Sequence, residues 1–183
     1  MSDTLYKVYK VLFLCTGNSC RSIMAESILN RIGQGRFSAY SAGSHPTGSV
    51  NPHTLALLTR FEHPIADLRS KSWDEFCGEN APTMDFVITV CDQAAGEACP
   101  VWSGKPVTVH WGLPDPAKFE GTKAETQAFF TEIYGRINNT LSVFVNLPLE
   151  KPDAETLRRK LADLSELSSG VAGAICTHPS DHA

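Results

Sequence analysis

A thiol and a guanidinium, with five residues between them, frame the loop Cys15-Thr16-Gly17-Asn18-Ser19-Cys20-Arg21, and the hydroxyl of Ser22 follows at once. A loop of this length curls so that successive backbone N–H groups point at one tetrahedral oxyanion, and an arginine at its end closes the ring with a bidentate fork. Gly17 is the residue expected to take the positive φ of the curl. The apolar run Val11-Leu12-Phe13-Leu14 before the loop reads as a buried strand, and residues 23–29 after it read as a helix. The loop therefore belongs at a helix N-terminus, where the field favours an anion. On this reading Cys15 is a nucleophile with a lowered pKa, because the thiolate is the reactive form. The competing reading is a cysteine that packs as a small hydrophobe at the end of a strand. The order strand, loop, Arg-Ser, helix favours the nucleophile, since α/β proteins place ligands at the carboxyl ends of their strands.

A second group of thiols lies in Cys91-Asp92-Gln93-Ala94-Ala95-Gly96-Glu97-Ala98-Cys99-Pro100, whose small residues suggest a mobile loop. Such a segment can bring Cys91 near a first nucleophile and later bring Cys99 to Cys91. Beside an oxyanion loop this pair reads as redox-active, although Cys91 ending a buried strand and Cys99 packing under Trp102 is the alternative. The motif Pro114-Asp115-Pro116 holds a carboxylate on a stiff backbone, able to protonate an oxygen that leaves a tetrahedral anion. Asp92 is the rival acid, and a plain proline turn is the bland reading of Asp115.

Local patterns show the elements that must position these groups. Strands are expected at residues 8–14, 37–42, 86–91 and 106–110, and helices at 22–33, 52–61, 72–76 and 124–146. This is a βαβ series, so the expected fold is α/β, a doubly wound parallel sheet with helices on both faces. Leu157, Leu161, Leu164 and Leu167 recur at helical spacing after a break at Pro148 and Pro152, and mark a last amphipathic helix. Its apolar face is expected to pack on the same domain rather than on a second copy. Residues 168–183 read as a tail, where Cys176, His178 and His182 are scattered ligands with no assigned chemistry. The expected division is a catalytic domain over 1–147, with a C-terminal helix and tail over 148–183.

With 183 residues, 42% of them hydrophobic and 20% charged, the composition is that of a soluble domain with a full core. A net charge of -4 provides no basic footprint for nucleic acid, and no stretch is long enough for a membrane span, so the expected partner is a small anion. The N-terminal apolar run is too short for an export signal, which points to the cytoplasm. Six cysteines without an export signal argue for catalytic or redox use over a disulfide framework. Neither the four residues between Cys15 and Cys20 nor the seven between Cys91 and Cys99 have the tight spacing usual for zinc, and no metal is assigned.

With these residues in hand, residues 7–146 resemble the low-molecular-weight protein tyrosine phosphatase superfamily, and within it the thiol-dependent arsenate reductases. The loop from Cys15 to Ser22 carries the superfamily resemblance. Cys91, Cys99 and His110-Trp111-Gly112 ahead of Asp115-Pro116 carry the arsenate-reductase branch, and Ala117 stands where a phosphotyrosine enzyme typically has a tyrosine. The resemblance implies Cys15 as nucleophile, Arg21 as oxyanion clamp and Asp115 as general acid. It implies that residues 16–22 (Thr16, Gly17, Asn18, Ser19, Cys20, Arg21 and Ser22) bind the oxyanion, that Asn18 and Ser41 brace the loop, and that Ser22 hydrogen-bonds the thiolate. It also implies a relay in which Cys91 attacks Cys15 and Cys99 takes over the disulfide, with thioredoxin, or glutathione and glutaredoxin, as reductant. The spacing of Cys91 and Cys99 is one residue longer than in thioredoxin-linked relatives. Some relatives place a carboxylate near residues 68–72 to help bind potassium; this chain has Arg69 and Lys71, which implies a tethered cation in the metal's place and no cofactor. Three functions stay open at this point: arsenate reductase, phosphatase of small or tyrosyl phosphates, and a non-enzymatic oxyanion sensor.

Overall fold

The computed structural model describes residues 7–150 and 152–169; Cys176, His178 and His182 lie outside them. Strand β1 (Tyr9–Cys15) alternates its side chains between two buried surfaces, with Val11 and Phe13 on one side and Leu12 and Leu14 on the other. A strand buried on both faces must lie inside a sheet covered on both sides. It does: β1 pairs in parallel with β2 (Phe37–Gly43) and with β3 (Phe86–Thr89), and β3 pairs in parallel with β4 (Val107–His110). The order is β2-β1-β3-β4. The chain leaves β1 for one neighbour and returns on its other side, so the carboxyl ends of β1 and β3 flank the topological switch point. Leu14 lies opposite both Ala42 and Thr89, and this register sets Cys15 and the residues after Thr89 side by side.

Both faces are covered, as the doubly wound reading expects, but unequally. One carries α1 (Arg21–Ile32), α2 (Pro52–Arg60), α4 (Lys123–Phe144) and α5 (Ala154–Asp163). Helix α4 starts with a capping box between Thr122 and Glu125, and it delivers Phe144 into the core. There its ring meets Phe37 at 5.1 Å, Phe86 at 5.6 Å and Trp111 at 5.9 Å. The opposite face, formed by Leu12, Leu14, Ala42 and Val87, is closed by Phe76 of a 3-10 turn (Trp73–Phe76), with Met84, Trp73 and Trp102 beside it. The expected last helix is α5, followed by a short α6 (Ser165–Ser169). Leu157, Leu161 and Leu164 join the main core while Leu167 stays exposed, and Trp111 Nε1 donates to the Leu161 carbonyl at 2.8 Å.

Two expectations are corrected. Strand β3 ends at Thr89 rather than at residue 91, although the Val90 N–H still donates to the Leu14 carbonyl. The segment expected to be a mobile loop begins with a helical turn, α3 (Asp92–Gly96). The Cys91 sulfur accepts from the Ala94 N–H at 3.3 Å and Ala94 is buried, so a cap and one apolar anchor suffice to wind it.

Candidate active site

Cys15 ends β1 and Cys20 precedes α1, so the loop between them is held by two rigid elements. Its curl is built on Asn18, not on Gly17. Asn18 carries the positive φ of 45°, and Gly17 is not among the positive-φ residues. Asparagine tolerates that region better than other side chains do, and here the side chain is held on three sides. Its Nδ2 donates to Ser22 Oγ at 2.9 Å and to Ser41 Oγ at 3.0 Å, while Oδ1 accepts from the Lys71 N–H at 2.8 Å. Asn18, Ser22 and Ser41 have no exposed surface. Gly43 at the end of β2 is the glycine that the loop does require: a Cβ there would collide with the Thr16 carbonyl and press on Asn18.

Around the Cys15 sulfur, the Ser22 hydroxyl lies at 2.9 Å and the Asn18 N–H donates at 3.1 Å. The sequence leads to a lowered thiol pKa; the fold reverses the direction. Burial pushes the Cys15 thiol up, outweighing the Ser22 hydroxyl, the Arg21 charge and the Asn18 N–H, all of which favour thiolate, while Cys91 adds to the rise. Burial also pushes the Cys20 thiol up.

Arg21 does not point at an empty ring. One terminal nitrogen donates to the Leu113 carbonyl at 2.9 Å and the other meets Asp115 Oδ2 at 3.1 Å. Asp115 in turn caps the 3-10 turn Pro116–Lys118, accepting from the Ala117 N–H at 3.1 Å. The fold therefore brings the expected clamp and the expected acid together. Cys91 also reaches the site: it is buried, and its sulfur lies 3.5 Å from the Thr16 hydroxyl. Cys15, Arg21, Cys91 and Asp115 line one cleft of about 580 Å³ with Thr16, Gly17, Ser19 and Cys20, and with Asp92, His45 and Lys118 at its edges. Asp92, the rival acid, is turned to His110 Nε2 at 2.8 Å. Cys99 does not line the cleft. The residue is exposed, though its neighbours cover it enough that partial desolvation, followed by the charge of Glu97, pushes its thiol up.

Below the loop lies a group that sequence reasoning reached only in part. Lys71 is 8% exposed, and its ammonium lies 3.5 Å from Glu26, 3.4 Å from Ser41 Oγ and 3.3 Å from the Arg69 carbonyl. Ser41 also donates to Glu26. Burial raises the Glu26 carboxyl and lowers Lys71, while their mutual attraction opposes both shifts. These residues do not fit a potassium ion, because a lysine ammonium already stands against Glu26 and Ser41 and would repel it. Arg69 is turned outward to Glu75 at 2.8 Å. Glu26 left no signal in the sequence: it sits mid-helix among apolar residues, and its partner is 45 residues away.

The sequence matches the profile described as low molecular weight phosphotyrosine protein phosphatase over residues 10–162. An arsenate reductase of Halalkalibacterium halodurans and one of Bacillus subtilis are each 37% identical to it over 134 residues, which make up 73% of this chain and 93% of theirs. Among solved structures, the thioredoxin-dependent arsenate reductase of Corynebacterium glutamicum superposes with a TM-score of 0.54 at 28% identity. That match covers 75% of this chain and 62% of the other.

Proposed function

Because the chain belongs to the low molecular weight phosphotyrosine protein phosphatase family, we propose that it uses the family loop for a redox reaction, the reduction of arsenate to arsenite. The observation that carries this reading is the Cys91 thiol on Thr16, at the mouth of the Cys15 loop. A phosphatase needs only water to release Cys15; reducing the arsenic of a Cys15 ester takes a second thiol to supply, with Cys15, the two electrons.

Arsenate enters the loop and is bound by its N–H groups and by Arg21, whose fork retains donors beyond those on Leu113 and Asp115. Cys15 arrives as a thiol. Its sulfur bonds to arsenic and its proton passes to an arsenate oxygen, while another oxygen leaves as water with a proton from Asp115. Cys91 then attacks the Cys15 sulfur. The S–S bond forms as the S–As bond breaks, the electron pair stays on arsenic, and arsenite departs with the Cys91 proton. Two thiols have been oxidised and arsenic reduced by two electrons. Cys99 next attacks Cys91, forming the Cys91–Cys99 disulfide and returning Cys15 as the leaving thiolate, which regains a proton. The exposure of Cys99 supports a protein dithiol as the final reductant, and thioredoxin is the one named for the Corynebacterium glutamicum relative. This chemistry belongs in a reducing cytoplasm; among the described residues no helix is long and apolar enough to cross a membrane.

The cleft wall supports the inorganic anion over an aryl ester. Its described lining includes Leu113, Pro114 and Ala117 but no phenylalanine, tyrosine or tryptophan, and Lys118 adds a cation at the rim. The test is Cys91→Ser, assayed with arsenate plus thioredoxin, with arsenate plus glutathione and glutaredoxin, and with para-nitrophenyl phosphate. Loss of arsenate turnover with aryl phosphatase retained is expected; undiminished arsenate reduction would remove Cys91 from the mechanism, and an unaltered protein that hydrolyses the aryl ester but turns over no arsenate with either reductant would leave phosphatase as the better description.

A further inference from the structure

Helix α3 separates the two relay thiols, and its first residue is tied to the rest of the molecule through a carboxylate and a histidine. At its first residue, Asp92 Oδ1 meets His110 Nε2 at 2.8 Å, and His110 Nδ1 meets the buried Thr89 hydroxyl at 2.8 Å. The Thr89 hydroxyl also lies 3.4 Å from the Val109 carbonyl; with its proton on the nearer His110 Nδ1, the ring carries its hydrogen on Nε2 and donates to Asp92. At the other end no such tie exists among the described residues: Glu97 comes only within 3.9 Å of His45 Nδ1, which is hydrogen-bonded to Ser44 Oγ at 3.1 Å. Within α3 only Ala94 is buried, so a five-residue helix has little packing of its own to keep it wound. Gly112 completes the arrangement, since a Cβ there would stand 2.9 Å from Asp92 Oδ1 and 3.2 Å from His110 Nε2.

The geometry points to a latch: Asp92 and His110 are positioning residues that hold α3 wound, keeping Cys91 turned toward Cys15 and away from Cys99 until the first disulfide has formed. This rests on the relay proposed above. Cys91 is 2% exposed and its sulfur caps α3 by accepting from the Ala94 N–H, whereas Cys99 is exposed, so turning Cys91 to Cys99 takes its sulfur off that cap and opens the turn. A wound α3 favours attack of Cys91 on Cys15 and opposes premature pairing of Cys91 with Cys99, which would oxidise the enzyme with no arsenate reduced.

The test treats the fully reduced protein with diamide, which accepts two electrons as two thiols become a disulfide, and follows Cys91–Cys99 formation by quenched mass mapping. Asp92→Ala is expected to form it about 1.5- to fivefold faster than the unaltered protein, the range given by losing one solvent-exposed pair. Gly112→Ala, which leaves Asp92 in place but displaces it, is expected to act in the same direction. Asp92→Asn keeps an acceptor for His110 Nε2–H and is expected to restore the slow rate, which a loss of charge alone would not do. Wild-type rates in both Asp92→Ala and Gly112→Ala overturn the latch, and so does an Asp92→Asn as fast as Asp92→Ala. The diamide arm uses no arsenate, so a protein that fails to reduce arsenate but shows these rate differences refutes the proposed function and not the latch.

Discussion

Asn18 is the residue on which the loop's shape depends most, and Asn18→Ala isolates its contribution. The substitution removes three buried hydrogen bonds, to Ser22, Ser41 and the Lys71 N–H, and leaves the Lys71 N–H without its acceptor. At about 0.5–1.5 kcal/mol for each bond, with roughly 1 kcal/mol for an alanine held at positive φ, the loss comes to about 3–5 kcal/mol. For a chain of this size that corresponds to a fall of roughly 8–16 °C in Tm around the middle of that range. Asn18→Gly loses the same bonds without the φ strain, though it loosens the unfolded chain, and should be about 0.5–1 kcal/mol less damaging than alanine. Urea unfolding at fixed pH, with the slope checked for constancy, measures both. A loss below about 1 kcal/mol for Asn18→Ala, or a glycine variant less stable than the alanine one, would refute the assignment of the curl to this side chain.

Burial of Cys15 makes a second expectation: its alkylation by iodoacetamide, followed by peptide mapping, should rise with pH through a midpoint above the ordinary thiol value. Ser22→Ala should move that midpoint higher still, and a midpoint below the ordinary value would show that the loop field prevails over burial. Gly43→Ala forces a Cβ against the Thr16 carbonyl and should cost about 1–3 kcal/mol in urea unfolding; a change under ~0.5 kcal/mol would mean the loop shifts freely. Asp115→Asn should slow phenyl phosphate hydrolysis by about 10²-fold or more, and para-nitrophenyl phosphate far less, because an acid helps a basic leaving group most. Equal slowing of the two esters would reduce Asp115 to a turn residue that holds Arg21.

Much of this molecule is written in short-range patterns. The alternation in β1, the helical spacing after Ser22 and the Asp-Pro turn each depend on neighbours within a few residues, so the α/β series and the Cys15 loop were legible before any contact was known. The brace of Asn18 on Ser41 was legible only through resemblance to a family. Other features depend on residues far apart in sequence that parallel pairing sets side by side. Register across β1 and β3 brings Cys91 to Thr16, and the ends of β3 and β4 bring His110 to Asp92. Likewise, Lys71 meets Glu26 because the segment after α2 returns beneath the loop, as the isolated bridge from Gly43 to Ser72 shows. The direction of the Cys15 pKa shift belongs to the same class. The sequence by itself determined a thiol among thiolate-stabilising donors, whereas the extent of its desolvation is a property of the closed core, and the tertiary structure decided that burial outweighs them.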